Sequence, residues 1–139
     1  MAFKSSQEFR EVIDKVFTMM STDPEMGPKL RDARVPQRFE FPDQEAVVNI
    51  TYDDSGGEQN LRWEWSDDIA WEPKVAMTMS SEVANRYFQG KENVPLALAK
   101  RRIRSSGDVK SALKLIPITK PVFALYRKML ERDYPHLVV

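Results

Sequence analysis

Two runs of alternating residues meet at one glycine-rich turn, and that junction dictates a β-hairpin. Residues 45–53, EAVVNITYD, are rich in the β-branched and aromatic side chains that suit a pleated, half-buried surface. Leu61, Trp63 and Trp65 alternate with Arg62, Glu64 and Ser66, which puts the large apolar groups on one face. Between the runs, Asp53-Asp54-Ser55-Gly56-Gly57 combines side chains that bond their own backbone with residues free to take positive φ. Two strands with one apolar face cannot stand alone in water. The rest of the chain must supply more strands and a covering layer.

More strands are visible on both sides of the hairpin. Phe39 and Phe41 alternate with Arg38 and Glu40 over residues 36–42, with Pro42 ending that strand or placing it near an edge. Residues 74–79, KVAMTM, put Val75, Met77 and Met79 on one side, and residues 101–106, RRIRSS, form a last short strand closed by Gly107-Asp108. The cover is helical. Over residues 5–20, Phe9, Val12, Ile13, Val16, Phe17 and Met20 recur at three/four spacing behind Ser5 or Ser6 as cap. A short helical turn fits residues 24–31. Ser80 or Ser81 caps a helix that ends at Gly90, and Pro95 opens a short one over 94–100. Residues 109–116 are helical up to Pro117, and Pro121 opens a last helix carrying Val122, Phe123, Tyr126, Met129 and Leu130. Strands concentrated early and helices late give an α+β fold rather than an alternating parallel sheet.

Composition narrows the function classes. The 139 residues suit one domain spanning 1–139, and 42% hydrophobic with 30% charged residues is an ordinary globular balance. The 21 basic and 21 acidic side chains cancel, so total charge does not favour nucleic acid. With no cysteine, disulfides, thiolate catalysis and cysteine zinc sites drop out. The N-terminus reaches charge too early for a signal peptide, no apolar run approaches a membrane span, and Leu137-Val138-Val139 is no peroxisomal address. A cytoplasmic protein is the expectation. His136 is the single histidine, close to the C-terminus, and no G-x-S-x-G occurs, which leaves no familiar nucleophilic triad. Asp53-Asp54 and Asp67-Asp68 sit in turns without the spacing of a calcium loop.

The order of motifs from Val75 onward carries a resemblance. Met77-Thr78-Met79 ends a strand, Phe88-Gln89-Gly90 closes a helix, and Leu96-Ala97 lies on a second short helix. Arg102-Ile103-Arg104 forms a basic strand, and Gly107-Asp108 opens an amphipathic helix. In these parts and their order the chain resembles the sterol carrier protein type 2 family. The local match covers residues 75–115, and the order of elements holds over 7–132. Two features differ: residues 66–74, SDDIAWEPK, are long and aromatic and bear on the mouth of any cavity, and Lys100-Arg101 stands where the family often has glycine. The resemblance implies a five-stranded, mainly antiparallel sheet with helices on one face and an apolar tunnel between them. That tunnel would take a fatty acid, an acyl-CoA or a sterol-like ligand, without catalysis, cofactor or metal.

Within that frame the candidate ligand-binding residues are Phe17, Met20, Met77, Met79, Phe88, Leu96, Leu113, Ile116, Ile118, Val122, Phe123, Tyr126 and Leu130. Flexible methionines suit an adaptable lining, and Met19, Met20, Met77, Met79 and Met129 fall on inward faces. The nearly continuous apolar stretch Leu113, Leu115, Ile116, Ile118 is expected to line or close the cavity. The last helix is either its lid or a fixed part of the core. Hairpin packing accounts for Trp63 and Trp65, with Trp71 plugging an edge, although they also suit an aromatic wall. The basic run Lys100-Arg101-Arg102-Ile103-Arg104 is either a solvated strand face paired with Asp67, Asp68 or Glu72, or a contact for a carboxylate, a CoA phosphate or an anionic bilayer. No aromatic residue interleaves with it to stack on bases, so nucleic acid is not an expected partner. The expected partner is a lipid or other apolar small molecule, with room for transient membrane contact. The alternative is an accessory domain that dimerises or docks on a lipid-metabolising enzyme, its cavity filled by side chains. A third reading is an enzyme acting on a lipid-like substrate. Ligand identity and oligomeric state stay open at this level.

Overall fold

The computed structural model describes residues 2–139. Helix α1 (Ser6–Thr22) starts where Ser5 accepts a hydrogen bond from the Glu8 amide at 3.0 Å. After the Asp23-Pro24 break comes α2 (Met26–Ala33). Strands β1 (Gln37–Phe41), β2 (Ala46–Tyr52), β3 (Leu61–Glu64) and β4 (Val75–Met79) follow. Next are α3 (Ser81–Phe88), α4 (Val94–Ala99), β5 (Ile103–Gly107), α5 (Val109–Leu113), α6 (Ile116–Thr119) and α7 (Val122–Asp133).

The five strands form one sheet in the order β3-β2-β1-β4-β5. β1 pairs antiparallel with β2 and parallel with β4, while the β2–β3 and β4–β5 pairs are antiparallel. Pro42 therefore ends a central strand and opens a short 3₁₀ turn; it does not mark an edge. The register aligns Phe39 with Val48 and Met77, and Ile50 with Trp63, so the apolar sets of the strands share one face. Helices cover that face. The fold is α+β with a mainly antiparallel five-stranded sheet, as the resemblance implied.

Gly107 explains why a glycine ends β5. Its φ is +84°, and a Cβ there would lie 2.4 Å from the Lys74 carbonyl oxygen. That same oxygen accepts from the Asp108 amide at 2.9 Å. No L side chain fits the backbone angle and the close approach together.

Residues 66–74 correct an expectation. They do not frame a cavity mouth but cross the opposite, outward face of the sheet. Asn49 donates to the Ser66 carbonyl at 2.7 Å, Arg38 pairs with Asp67, and the Arg62 guanidinium stacks over Trp71 at 5.0 Å. Trp71 is therefore a lid on the outer face and not a plug at an edge. The last helices are also divided differently: the break falls at Lys114-Leu115, and Pro117 lies in the first turn of α6.

Candidate functional site

The inner face of the sheet and the helices enclose an apolar cavity of about 90 Å³. Strands contribute Phe39 and Phe41 from β1, Ile50 from β2, Met77 and Met79 from β4 and Ile103 from β5. Helices contribute Ile13, Phe17 and Met20 from α1, Leu30 from α2, Ala84, Tyr87 and Phe88 from α3 and Val94 from α4. The wall is completed by Ala112, Leu113, Leu115, Ile116 and Thr119, around α5 and α6.

Each wall is placed by local rules. Period-two alternation aims Phe39, Met77 and Ile103 inward and Arg38, Thr78 and Arg104 outward. The apolar stripe of α1 lies across the sheet. It is fixed at the β3 end by Asp14, whose Oδ1 accepts from the indole N–H of Trp63 at 2.9 Å and of Trp65 at 2.7 Å. Those tryptophans pack edge-on to Phe17 and Phe9 and are absent from the cavity wall. Helix α5 is set by Asp108, which accepts from the Ser111 amide at 3.1 Å and from its hydroxyl.

No charged side chain lines the cavity; its polar groups are Gln37, Tyr87 and Thr119. Burial pushes the Tyr87 phenol up to about 12, with the neighbouring Thr119 hydroxyl pulling the other way, so the ring stays neutral in the physiological range. Gln37, Phe39, Tyr87, Leu113 and Ile116 are the lining residues that keep partial exposure.

Phe17, Met20, Met77, Met79, Phe88, Leu113 and Ile116 of the sequence candidates stand in this wall. The others do not. Leu96 is 45% exposed on the outer side of α4. Ile118 faces a surface cleft with Pro24, Met26 and Pro121. Val122, Tyr126 and Leu130 are fully buried core residues of α7. Tyr126 donates to Asn85 Oδ1 at 2.7 Å, and Asn85 in turn donates to the Leu137 carbonyl at 2.8 Å. Phe123 packs edge-on against the Tyr87 ring, outside the cavity, at 5.4 Å. The last helix is thus docked, and the wall on that side of the cavity is formed around α5 and α6. Sequence periodicity found the apolar stripe of α7 but could not tell which layer it meets.

Leu115, part of the apolar stretch expected to line or close the cavity, also stands in the wall, whereas Ile13, Leu30, Gln37, Phe39, Phe41, Ile50, Ala84, Tyr87, Val94, Ile103, Ala112 and Thr119 were not among the candidates. The strand residues were legible as inward-facing. The small residues Ala84 and Ala112 gave no signal, because a cavity is made by what their side chains lack.

The basic run is also corrected. β5 begins at Ile103, so Arg102 precedes it and pairs with Glu92 rather than with Asp67, Asp68 or Glu72. Glu92 is itself 3% exposed and also pairs with Arg86. His136 bonds Glu8 at 2.9 Å and stands apart from the cavity. Burial would raise the Glu8 carboxyl, but His136 and the Lys4 amide hold it below its ordinary range. Among the described residues, no three or more His, Asp or Glu side chains converge as a metal site. No helix among them is long and apolar enough to cross a membrane.

No family model matches the sequence. No curated protein matches it either. Solved structures do match by fold. A UbiJ-SCP2 ubiquinone synthesis protein superposes with a TM-score of 0.61 at 10% identity, over 88% of this chain and 95% of that one. Sterol carrier protein 2 from Yarrowia lipolytica, in its apo form, gives 0.55 at 13% identity, over 79% and 88% of the two chains. Sterol carrier protein domain 2 of Helicoverpa armigera gives 0.53 at 16% identity, over 81% and 89%. The sec-alkylsulfatase Pisa1 from Pseudomonas sp. gives 0.53 at 13% identity over 63% of this chain, which corresponds to only 13% of the sulfatase. Matches that span nearly the whole of three sterol carrier protein domains, with the strand order and apolar layer described above, show that this chain has the sterol carrier protein 2 fold.

Proposed function

We propose that this chain, as one unit spanning residues 1–139, binds a single apolar or amphiphilic molecule of lipid size without catalysis. The cavity of about 90 Å³ enclosed by sheet and helices, with its uncharged lining, carries the reading. The sterol carrier protein names of its structural neighbours agree with it. A fatty acid, an acyl-CoA or a sterol-like molecule fits the chemistry, and transfer between membranes is the use such binding would serve. An ionised head buried among these side chains would lack a counter-charge, at a cost of several kcal/mol. The ligand therefore enters tail first and leaves any carboxylate or phosphate outside.

Sites for drug-sized ligands occupy about 300–1,000 Å³, so this cavity must widen to load. Met20, Met77 and Met79 can change rotamer at little cost. The short helices α5 and α6, of five and four residues, can move as a flap. Each methylene buried contributes about 0.8 kcal/mol, so a dozen more than offset that rearrangement.

The small volume also favours a second reading, an accessory domain that dimerises or docks with its cavity filled by side chains. Ala112→Phe separates the two. Ala112 is buried in the wall, and a benzyl group there fills the cavity. We expect loss of fluorescent fatty acid binding by at least tenfold, with the circular dichroism spectrum retained. Wild-type protein that takes up neither fatty acid nor sterol at micromolar concentration would remove the lipid reading.

A further inference from the structure

The surface around α4 concentrates charge that the whole chain does not have. Residues 86–104 hold six basic side chains and one carboxylate, in a protein whose formal charge is zero. That carboxylate, Glu92, is buried between Arg86 and Arg102 and shows solvent no negative charge of its own. Lys91, Lys100, Arg101 and Arg102 are exposed. Among them stands Leu96, 45% exposed and one of the few large apolar side chains left open among the described residues.

The patch is built rather than frayed. The amides of Lys100, Arg101 and Arg102 donate to the carbonyls of Leu96, Leu98 and Ala97, which folds the basic residues back beside the helix. Arg101 takes a left-handed φ of 60° to make that turn. The inner side of the same segment, Val94 and Ile103, is cavity wall.

We infer that this face docks on an anionic lipid bilayer, with Leu96 entering the acyl boundary and the surrounding lysines and arginines meeting the headgroups. Charge complementarity selects the partner: a negative surface attracts clustered Lys and Arg without demanding one fixed geometry, and an apolar side chain amid them adds insertion. Docking there brings one end of the cavity to the membrane. The inference concerns the outer surface and holds whether or not the cavity is loaded.

Sedimentation with vesicles of phosphatidylcholine, with and without phosphatidylglycerol, tests it. We expect binding only to the anionic vesicles, weakened by added salt. Lys100→Glu combined with Arg101→Glu should weaken it by at least about tenfold. Leu96→Glu should weaken it several-fold, while Lys128→Glu, an exposed charge on α7, should leave it within about twofold. The cavity-filling Ala112→Phe protein should bind vesicles as wild type does, so failure of ligand binding and failure of docking are read separately. Absence of wild-type binding to anionic vesicles would overturn the inference. So would equal losses for Lys128→Glu and the double variant, or unchanged binding by Leu96→Glu, which would indicate plain anion attraction by some other partner such as an acidic protein.

Discussion

Asp14 shows how one side chain positions a layer. Its single oxygen Oδ1 collects two indole N–H groups from the same strand face, and so fixes α1 across the hairpin. Asp14→Ala leaves both half-buried donors without their partner. We expect a loss of about 1–3 kcal/mol in urea unfolding, with tryptophan emission shifted to the red. Gly107 acts through backbone alone. Gly107→Ala meets the Lys74 carbonyl oxygen in a left-handed conformation, and should cost roughly 2–4 kcal/mol by the same measurement. The alternation of Trp63 and Trp65 was legible in the sequence because period two needs only neighbours. Their shared acceptor was not, since Asp14 lies on another element and its helix pattern gives it no special mark.

At the scale of elements, the helix caps were readable and the pairing of layers was not. Ser5 and Ser80 cap α1 and α3, where serine followed by an acidic first turn predicts a start. Helix α7 carries an apolar stripe that would serve a lid or a core equally. Asn85 and Tyr126 decide for the core by tying α7 and the C-terminal residues to α3. The cavity wall falls instead to the short α5, held at its start by Asp108. Hydrogen bonds from the Ser111 hydroxyl and amide hold the Asp108 carboxyl below its ordinary value of 3.8. A depressed carboxylate stabilises the fold above its unfolded value and ceases to do so as pH falls through its folded one. The α5 cap is therefore intact at pH 6 and is released only as pH falls through a folded value that lies below 3.8. Hydrogen exchange at Ser111 and Ala112, corrected for intrinsic rates, should show protection lost in that acid window while α1 stays protected. Protection of α5 that stays at its pH 6 level after the Asp108 carboxyl has been titrated in the folded protein would mean that the cap does not hold it.

For the whole molecule, the sheet order and the uncharged inner space belong to one design, in which β1, β2, β4 and β5 give apolar side chains to the cavity and β3 gives its own to the packing under α1. Strand count and layer composition could be read from alternation, because burial of one face imposes it. The parallel β1–β4 pair and the path of residues 66–74 over the outer face could not, because both depend on long-range closure. Cavity volume is least legible of all, since it is a small difference between the space the elements frame and the side chains that fill it. Native mass spectrometry of the purified protein measures that difference directly. We expect a protein mass increased by a few hundred daltons, lost on denaturation and absent from Ala112→Phe. A bare polypeptide mass, monomeric or dimeric, that fatty acids and sterols do not shift would contradict an enclosed lipid-sized ligand.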